Sequence, residues 1–270
     1  VGGGGAELNM RSWVAGGVAA AAAVFPSHTL CRDKEGPAKV PGKPTMSTSP
    51  ELLSRIADAV LRLDQQAVEQ LSEEALAMHS PHQIIAEGLS AGMRTIGEQF
   101  KSGEVFIPEV MVACDCYYAG LKRVRSRIQA SDRSWYLGRM LLGTIHGDIH
   151  TVGKDVAGPV FEAAGFEVID LGVAVPDDRW VAAIREHRPD IVGLGTYMTP
   201  TFMHTRETVA AIAAAGLREG LRIICGGPSV SDAAARQMGA DGASDNAWEA
   251  VEVMKGWMAG RRGAVEGRAA

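Results

Sequence analysis

Leu141–Gly158 reads LLGTIHGDIHTVGKDVAG, and its pattern changes twice along the way. Met140–Ile145 is a short apolar run of the kind that forms a buried strand, and Val152–Ala164 follows with helical periodicity. Between them lies a turn rich in Gly and His that holds Asp148, His150 and Gly153 in the order Asp-x-His-x-x-Gly. A carboxylate placed two residues before an imidazole can orient the ring, fix its tautomer and raise its basicity as a metal ligand. Gly153 lets the backbone come close to something bulky. The stretch therefore points to a metal-containing cofactor.

Downstream, strand-like and helix-like segments alternate. Phe166–Leu171, Asp190–Leu194, Leu221–Cys225 and Ala243 read as strands. Asp177–His187, Met203–Ala215, Ser231–Met238 and Ala247–Met258 read as helices. Such alternation predicts an α/β domain over residues 138–260: a Rossmann-like (flavodoxin-like) parallel five-stranded doubly wound sheet, with residues 261–270 as a tail. Ligands of such sheets bind beyond the carboxyl ends of the strands. The chemistry should then sit in three loops: His146–Gly153, the Gly- and Thr-rich Gly195–Thr201, and Gly226-Gly227-Pro228-Ser229. The first loop lacks Gly-x-Gly-x-x-Gly, which disfavours the usual dinucleotide site. Lys154 falls in the first helical turn, facing solvent or a phosphate, and His146 reads as a loop residue.

Upstream, residues 46–130 read as an N-terminal four-helix cap bundle. Leu53, Ile56, Val60 and Leu63 share a face, and Val68, Leu71 and Leu76 suggest a second helix. Ile85, Leu89, Met93, Ile96 and Phe100 recur at spacings of four and three, and Ile107, Val110, Cys114, Tyr117, Leu121, Val124 and Ile128 form the last stripe. Polar residues 131–137 form the expected linker. Residues 1–45 differ in composition: Gly-rich, then an Ala- and Gly-heavy apolar run too short to span a bilayer, then Pro and Lys. They are expected to be disordered or an upstream extension, with the natural start at Met46.

The 270 residues carry a formal charge of -5, with 22% charged and 6% aromatic residues, which offers neither the basic face nor the stacking platform of a nucleic-acid binder. No membrane association is expected. The four cysteines, Cys31, Cys114, Cys116 and Cys225, form no Cys-x-x-Cys pair and read as small apolar side chains of a cytoplasmic protein.

Asp148-x-His150-x-x-Gly153, the Thr-bearing loop some forty residues on, and Gly226-Gly227 together resemble the cobalamin-binding domain. Gly92-Met93 and Gly103-Glu104-Val105-Phe106-Ile107-Pro108-Glu109-Val110 resemble the helical cap module that precedes it in methionine synthase and in corrinoid proteins of methanol and methylamine methyltransferases. The resemblance covers about residues 50–258. It implies cobalamin bound base-off and His-on, with His150 as lower ligand to cobalt, Asp148 as its partner and Thr201 completing the relay. It also implies that Thr151, Val152, Gly153, Gly195, Thr196, Tyr197, Thr199, Gly226, Gly227, Phe106 and Val110 bind the cofactor, with Gly153, Gly226 and Gly227 making room for the nucleotide tail. If the cap covers the methyl face, Phe106 is the first candidate shield, followed by Ala113 and Cys116, and Phe106 and Val110 otherwise read as bundle core. One departure stands out. Where the family reads Ser-x-Leu, this chain reads Gly195-Thr196-Tyr197, so residue 195 offers no hydroxyl, and Thr196 or Thr199 becomes the substitute.

The implied function is that of a methyl carrier cycling between methylcobalamin and cob(I)alamin. Its partners would be a substrate-specific methyltransferase, a methyl-acceptor methyltransferase and a reductive activator. The alternatives are the small subunit of an adenosylcobalamin mutase, which the cap disfavours, and a cobalamin-dependent sensor, which would need a DNA-binding segment.

Overall fold

The structure, a computed structural model, describes residues 49–128 and 135–269, with side chains over 51–128 and 135–261. The expectations for residues 1–45, for a start at Met46 and for residues 131–134 lie outside that range.

The N-terminal half is helical. α1 (Ser49–Leu61) and α2 (Gln65–Ala75) are separated by a turn in which Leu63 adopts a positive φ of 58°. Asp64 caps α2, its carboxylate accepting from Ala67 N at 3.0 Å. The next rod begins at α3 (Pro81–Gln83), where Ser80 and Gln83 close a reciprocal capping box. It widens into a π-turn (Ile84–Leu89), with Ser90 N bonding back to Ile85 O, and continues as α4 (Ser90–Ser102). Gly103, at φ 79°, ends it in the left-handed conformation that glycine tolerates best. α5 (Ile107–Arg125) closes the bundle.

The predicted stripe on α5 is buried at Val110, Cys114, Tyr117, Leu121 and Val124, but so is a second one, Ala113, Cys116 and Gly120. α5 is covered on two sides because it packs against α2 within the bundle and against α6 of the sheet domain. At Gly120 a methyl group would lie 2.6 Å from Leu89 Cδ2, so the close crossing requires glycine.

From Gly138 the chain forms β1 (Gly138–Thr144), α6 (Val152–Ala163), β2 (Phe166–Asp170), α7 (Asp177–His187) and β3 (Ile191–Gly195). A short 3-10 turn (Thr199–Thr201), α8 (Phe202–Ala214), β4 (Arg222–Gly226), α9 (Asp232–Gln237), β5 (Gly242–Ser244) and α10 (Ala247–Ala269) follow. All pairings are parallel, in the order β2-β1-β3-β4-β5, so the predicted five-stranded sheet is present. Chain direction across the sheet reverses between β1 and β3, which leaves a crevice at their carboxyl ends. α10 runs well past Met258, where the last helix was expected to stop.

The sheet has two cores. Leu141, Val192, Leu194 and Ile223 face Trp180, Ile184, Val209 and Ile212 of α7 and α8. Met140, Leu142, Ile191 and Ile224 face Val156, Val160 and Phe161 of α6 and Val251 and Met254 of α10, and this core runs on into the bundle. Trp248 of α10 marks the junction. Its ring lies 5.4 Å from that of Phe100 on α4, and a methyl group at Gly97 would sit 2.1 Å from its Nε1. Residues 135–137, expected as linker, instead pack: Trp135 stacks on Tyr136 at 4.0 Å, and Trp135 and Leu137 lie against the shared core. Among the described residues no helix is long and apolar enough to cross a membrane.

Candidate cofactor site

β1 ends in a tightly stapled turn. Thr144 Oγ1 donates to Asp148 O and accepts from Ala174 N at 2.8 Å, while Ala174 N also reaches Asp148 O at 2.9 Å. The loop after β2 thus buttresses the Asp-x-His turn. The sequence reading missed both Thr144 and this loop, because nothing local links positions about thirty apart.

The staple fixes Asp148, which is fully buried. Its Oδ1 accepts from His150 N at 3.2 Å and faces His150 Nδ1 at 2.8 Å. Its Oδ2 accepts from Tyr197 N at 2.6 Å, Met198 N at 3.2 Å and Thr201 Oγ1 at 3.3 Å. The loops after β1 and β3, adjacent across the crevice, therefore meet on one carboxylate. Burial alone would raise its pKa, but the Tyr197 N–H and the His150 ring and N–H hold it below the usual carboxylate value. Thr201 has a second acceptor, Met198 O at 2.9 Å. One hydroxyl proton cannot serve both fully, so the Thr201 contact is the weakest of the set.

With Nδ1 turned to Asp148, the Nε2 edge of His150 faces away, on a side chain 52% exposed. Ile149 and Val152 beside it, and Val173 on the buttressing loop, are exposed apolar residues. Thr151 and Thr199 are exposed as well.

Beneath these loops a cavity of about 280 Å³ extends between β1, β3, β4, α6 and α10, lined by Gly153, Gly195, Gly226 and Gly227 among others. Thr196 does not reach it: its hydroxyl pairs with Thr205 at 2.9 Å on the opposite side of the sheet. Strand alternation puts Gly195 and Tyr197 on the cavity side instead. At Gly227, whose φ is 103°, a side chain would also meet Thr196 O at 2.5 Å.

Three expectations need correction. Lys154 does not face solvent: it is 5% exposed, with Nζ 2.6 Å from Asp170 and 2.8 Å from Asp155, because α6 turns its first residues against the end of β2. Val110 is enclosed in the bundle core, as are Ala113 and Cys116; of that group only Phe106, 66% exposed at the start of α5, presents a surface. Thr196 is occupied elsewhere, as above.

Residues 138–252 match a B12 binding domain and residues 52–125 match a second B12 binding domain model. Dimethylamine corrinoid protein 1 of Methanosarcina mazei is 34% identical over 216 residues, 80% of this chain and 100% of that protein. The chain belongs to the B12-binding corrinoid proteins. Another corrinoid relative, the trimethylamine corrinoid protein of Methanosarcina barkeri, is 32% identical over 212 residues, 78% of this chain and 98% of that one. Among solved structures, a cobalamin-binding protein from Desulfitobacterium hafniense aligns with TM-score 0.61 and 33% identity, covering 76% of this chain and 98% of that one. The methanol:cobalamin methyltransferase complex MtaBC of M. barkeri shares the fold, with TM-score 0.69, 24% identity and coverage of 78% and 80%. The Asp148, Gly195 and Gly226 loops all fall within the first matched B12-binding segment, and Phe106 within the second.

Proposed function

We propose that this corrinoid protein is a methyl carrier that holds cobalamin base-off with His150 Nε2 as the lower ligand to cobalt. The orientation of His150 carries the reading: Nδ1 is engaged by a buried carboxylate, and Nε2 faces outward from an exposed apolar rim. One outward imidazole nitrogen suits a metal that brings its other ligands in its own ring. The Gly-lined cavity below offers a slot for a nucleotide tail. Bound cobalamin would supply a cobalt able to accept a methyl group and give it up.

The chain's own groups do the positioning. Asp148 Oδ1 accepts the Nδ1 proton of neutral His150, which leaves the Nε2 lone pair outward. The donors from Tyr197, Met198 and Thr201 keep Asp148 ionised and turned toward the His150 ring. Phe106, at the start of α5, would exclude water from the upper face, and the cap would move aside for each partner.

The methylamine relatives favour a methylamine-derived methyl group. The partners would be a substrate-specific methyltransferase, a methyl-acceptor methyltransferase and a reductive activator, all in the cytoplasm. Reconstitution of the purified chain with cobalamin tests the site. His150→Ala should keep the cofactor through its tail but lose the absorption features of imidazole coordination, whereas a spectrum and titration matching wild type would sink the assignment.

A further inference from the structure

Three glycines at the mouth of the tail cavity are packed against the same ring. A methyl group at Gly153 would lie 2.4 Å from Tyr197 Cε1, one at Gly195 2.9 Å from Cε2, and one at Gly227 2.9 Å from Cδ1. Side-chain carbons essentially never approach so closely, so the ring of Tyr197 needs glycine at all three positions. Gly195 is thus the other half of an exchange. The residue that lacks a side chain on the cavity side stands two positions before one whose large side chain fills the vacated space.

The ring stands between the His150 imidazole, at 6.3 Å between centroids, and the cavity. Its hydroxyl makes no hydrogen bond among the described residues. Burial, with Asp148 and Asp155 nearby, pushes the phenol up to about 12, so it remains a donor at neutral pH.

We propose that Tyr197 is a specificity-determining residue of the tail pocket: its ring sets the width of the mouth, and its hydroxyl donates to the lower base of the bound corrinoid. This rests on the cofactor reading above. A base released from cobalt carries a free ring nitrogen, an acceptor that a phenol can satisfy, whereas a phenolic lower base carries none. The pocket then favours corrinoids with a benzimidazole or purine base over those with a phenolic base or no tail.

The test is binding to the purified apoprotein, read by absorbance titration, with cobalamin, a cobamide bearing a phenolic lower base, and cobinamide, which has no nucleotide tail. Tyr197→Phe removes one oxygen and should weaken cobalamin about five- to ten-fold, as loss of one hydrogen bond does, and leave the other two unchanged. Gly195→Ser alone should also weaken cobalamin, because its Cβ collides with the ring, and the double variant Gly195→Ser/Tyr197→Leu should regain it. Equal affinities of wild type and Tyr197→Phe for cobalamin, or an equal loss for cobinamide, would overturn the proposal. So would Gly195→Ser binding cobalamin as tightly as wild type. Wild type that binds neither cobalamin nor cobinamide would instead refute the cofactor reading itself.

Discussion

At Asp148, both carboxylate oxygens are committed to donors, Oδ1 to His150 and Oδ2 to Tyr197, Met198 and Thr201. An amide cannot match that environment, since its NH2 must face one of those donors. Asp148→Asn should therefore lower stability by about 1–3 kcal/mol at neutral pH, the cost of a mismatched buried group, seen as a lower urea midpoint. The sign of the pH dependence follows from the depressed pKa. Asp148 stabilises the folded chain above the ordinary carboxylate range and ceases to do so as pH falls through its lower folded value. The deficit of the variant should accordingly shrink in acid; a deficit that is constant with pH would contradict this account. The local half of the site was legible in sequence, because Asp148 and His150 are two residues apart and the turn is short. The other half was not. Tyr197 N and Met198 N reach Asp148 only because β3 lies next to β1, and Lys154 finds Asp170 only because β2 lies on its other side.

Between helices, Glu162 of α6 faces Arg125 of α5 at 3.5 Å through one oxygen, while its other oxygen has no partner among the described residues. Burial pushes this carboxyl up to about 6, and Arg125, more than half exposed, pulls it back only partly. The folded chain therefore binds this proton more tightly than the unfolded chain. The associated stability is complete below the ordinary glutamate value and is lost as pH rises through about 6. Glu162→Gln should be more stable than wild type by on the order of 1–2 kcal/mol at pH about 7.5, with the gain fading at pH about 4.5. Denaturation at the two pH values decides it, and an equal gain at both would show that charge is not the cause. Among the described residues the long helices were legible from their apolar stripes, and the strands from short apolar runs that the sheet buries on both faces. Periodicity missed the second buried stripe of α5, since Ala113, Cys116 and Gly120 are small enough to read as neutral spacing. It also ended α10 too early: after Met258 the residues are Ala, Gly and Arg, which carry no apolar stripe.

Across the molecule, the bundle and the sheet domain share a core, and Trp248 set on Gly97 is one close point of contact between them. Gly97→Ala must displace that ring. A cost of about 1–3 kcal/mol is expected from overpacking, with faster amide exchange in α4 and α10 and a red-shifted tryptophan emission. Unchanged emission and exchange would mean that the contact does not hold the two parts together. Layer order and strand count could be read from the alternation of periods, but the docking of cap on sheet could not, because a lone glycine beneath a tryptophan leaves no pattern in either segment. Two of the buried free cysteines among the described residues bear on the chemistry. Cys114 lies in the cleft between α5 and α6, with Sγ 4.0 Å from Val156 O, and Cys225 is fully buried on β4. Burial pushes both thiols up to about 12. Only the thiolate is a strong nucleophile. In the methyl carrier proposed above, these two sulfurs, protonated and buried, are poor targets for alkylation.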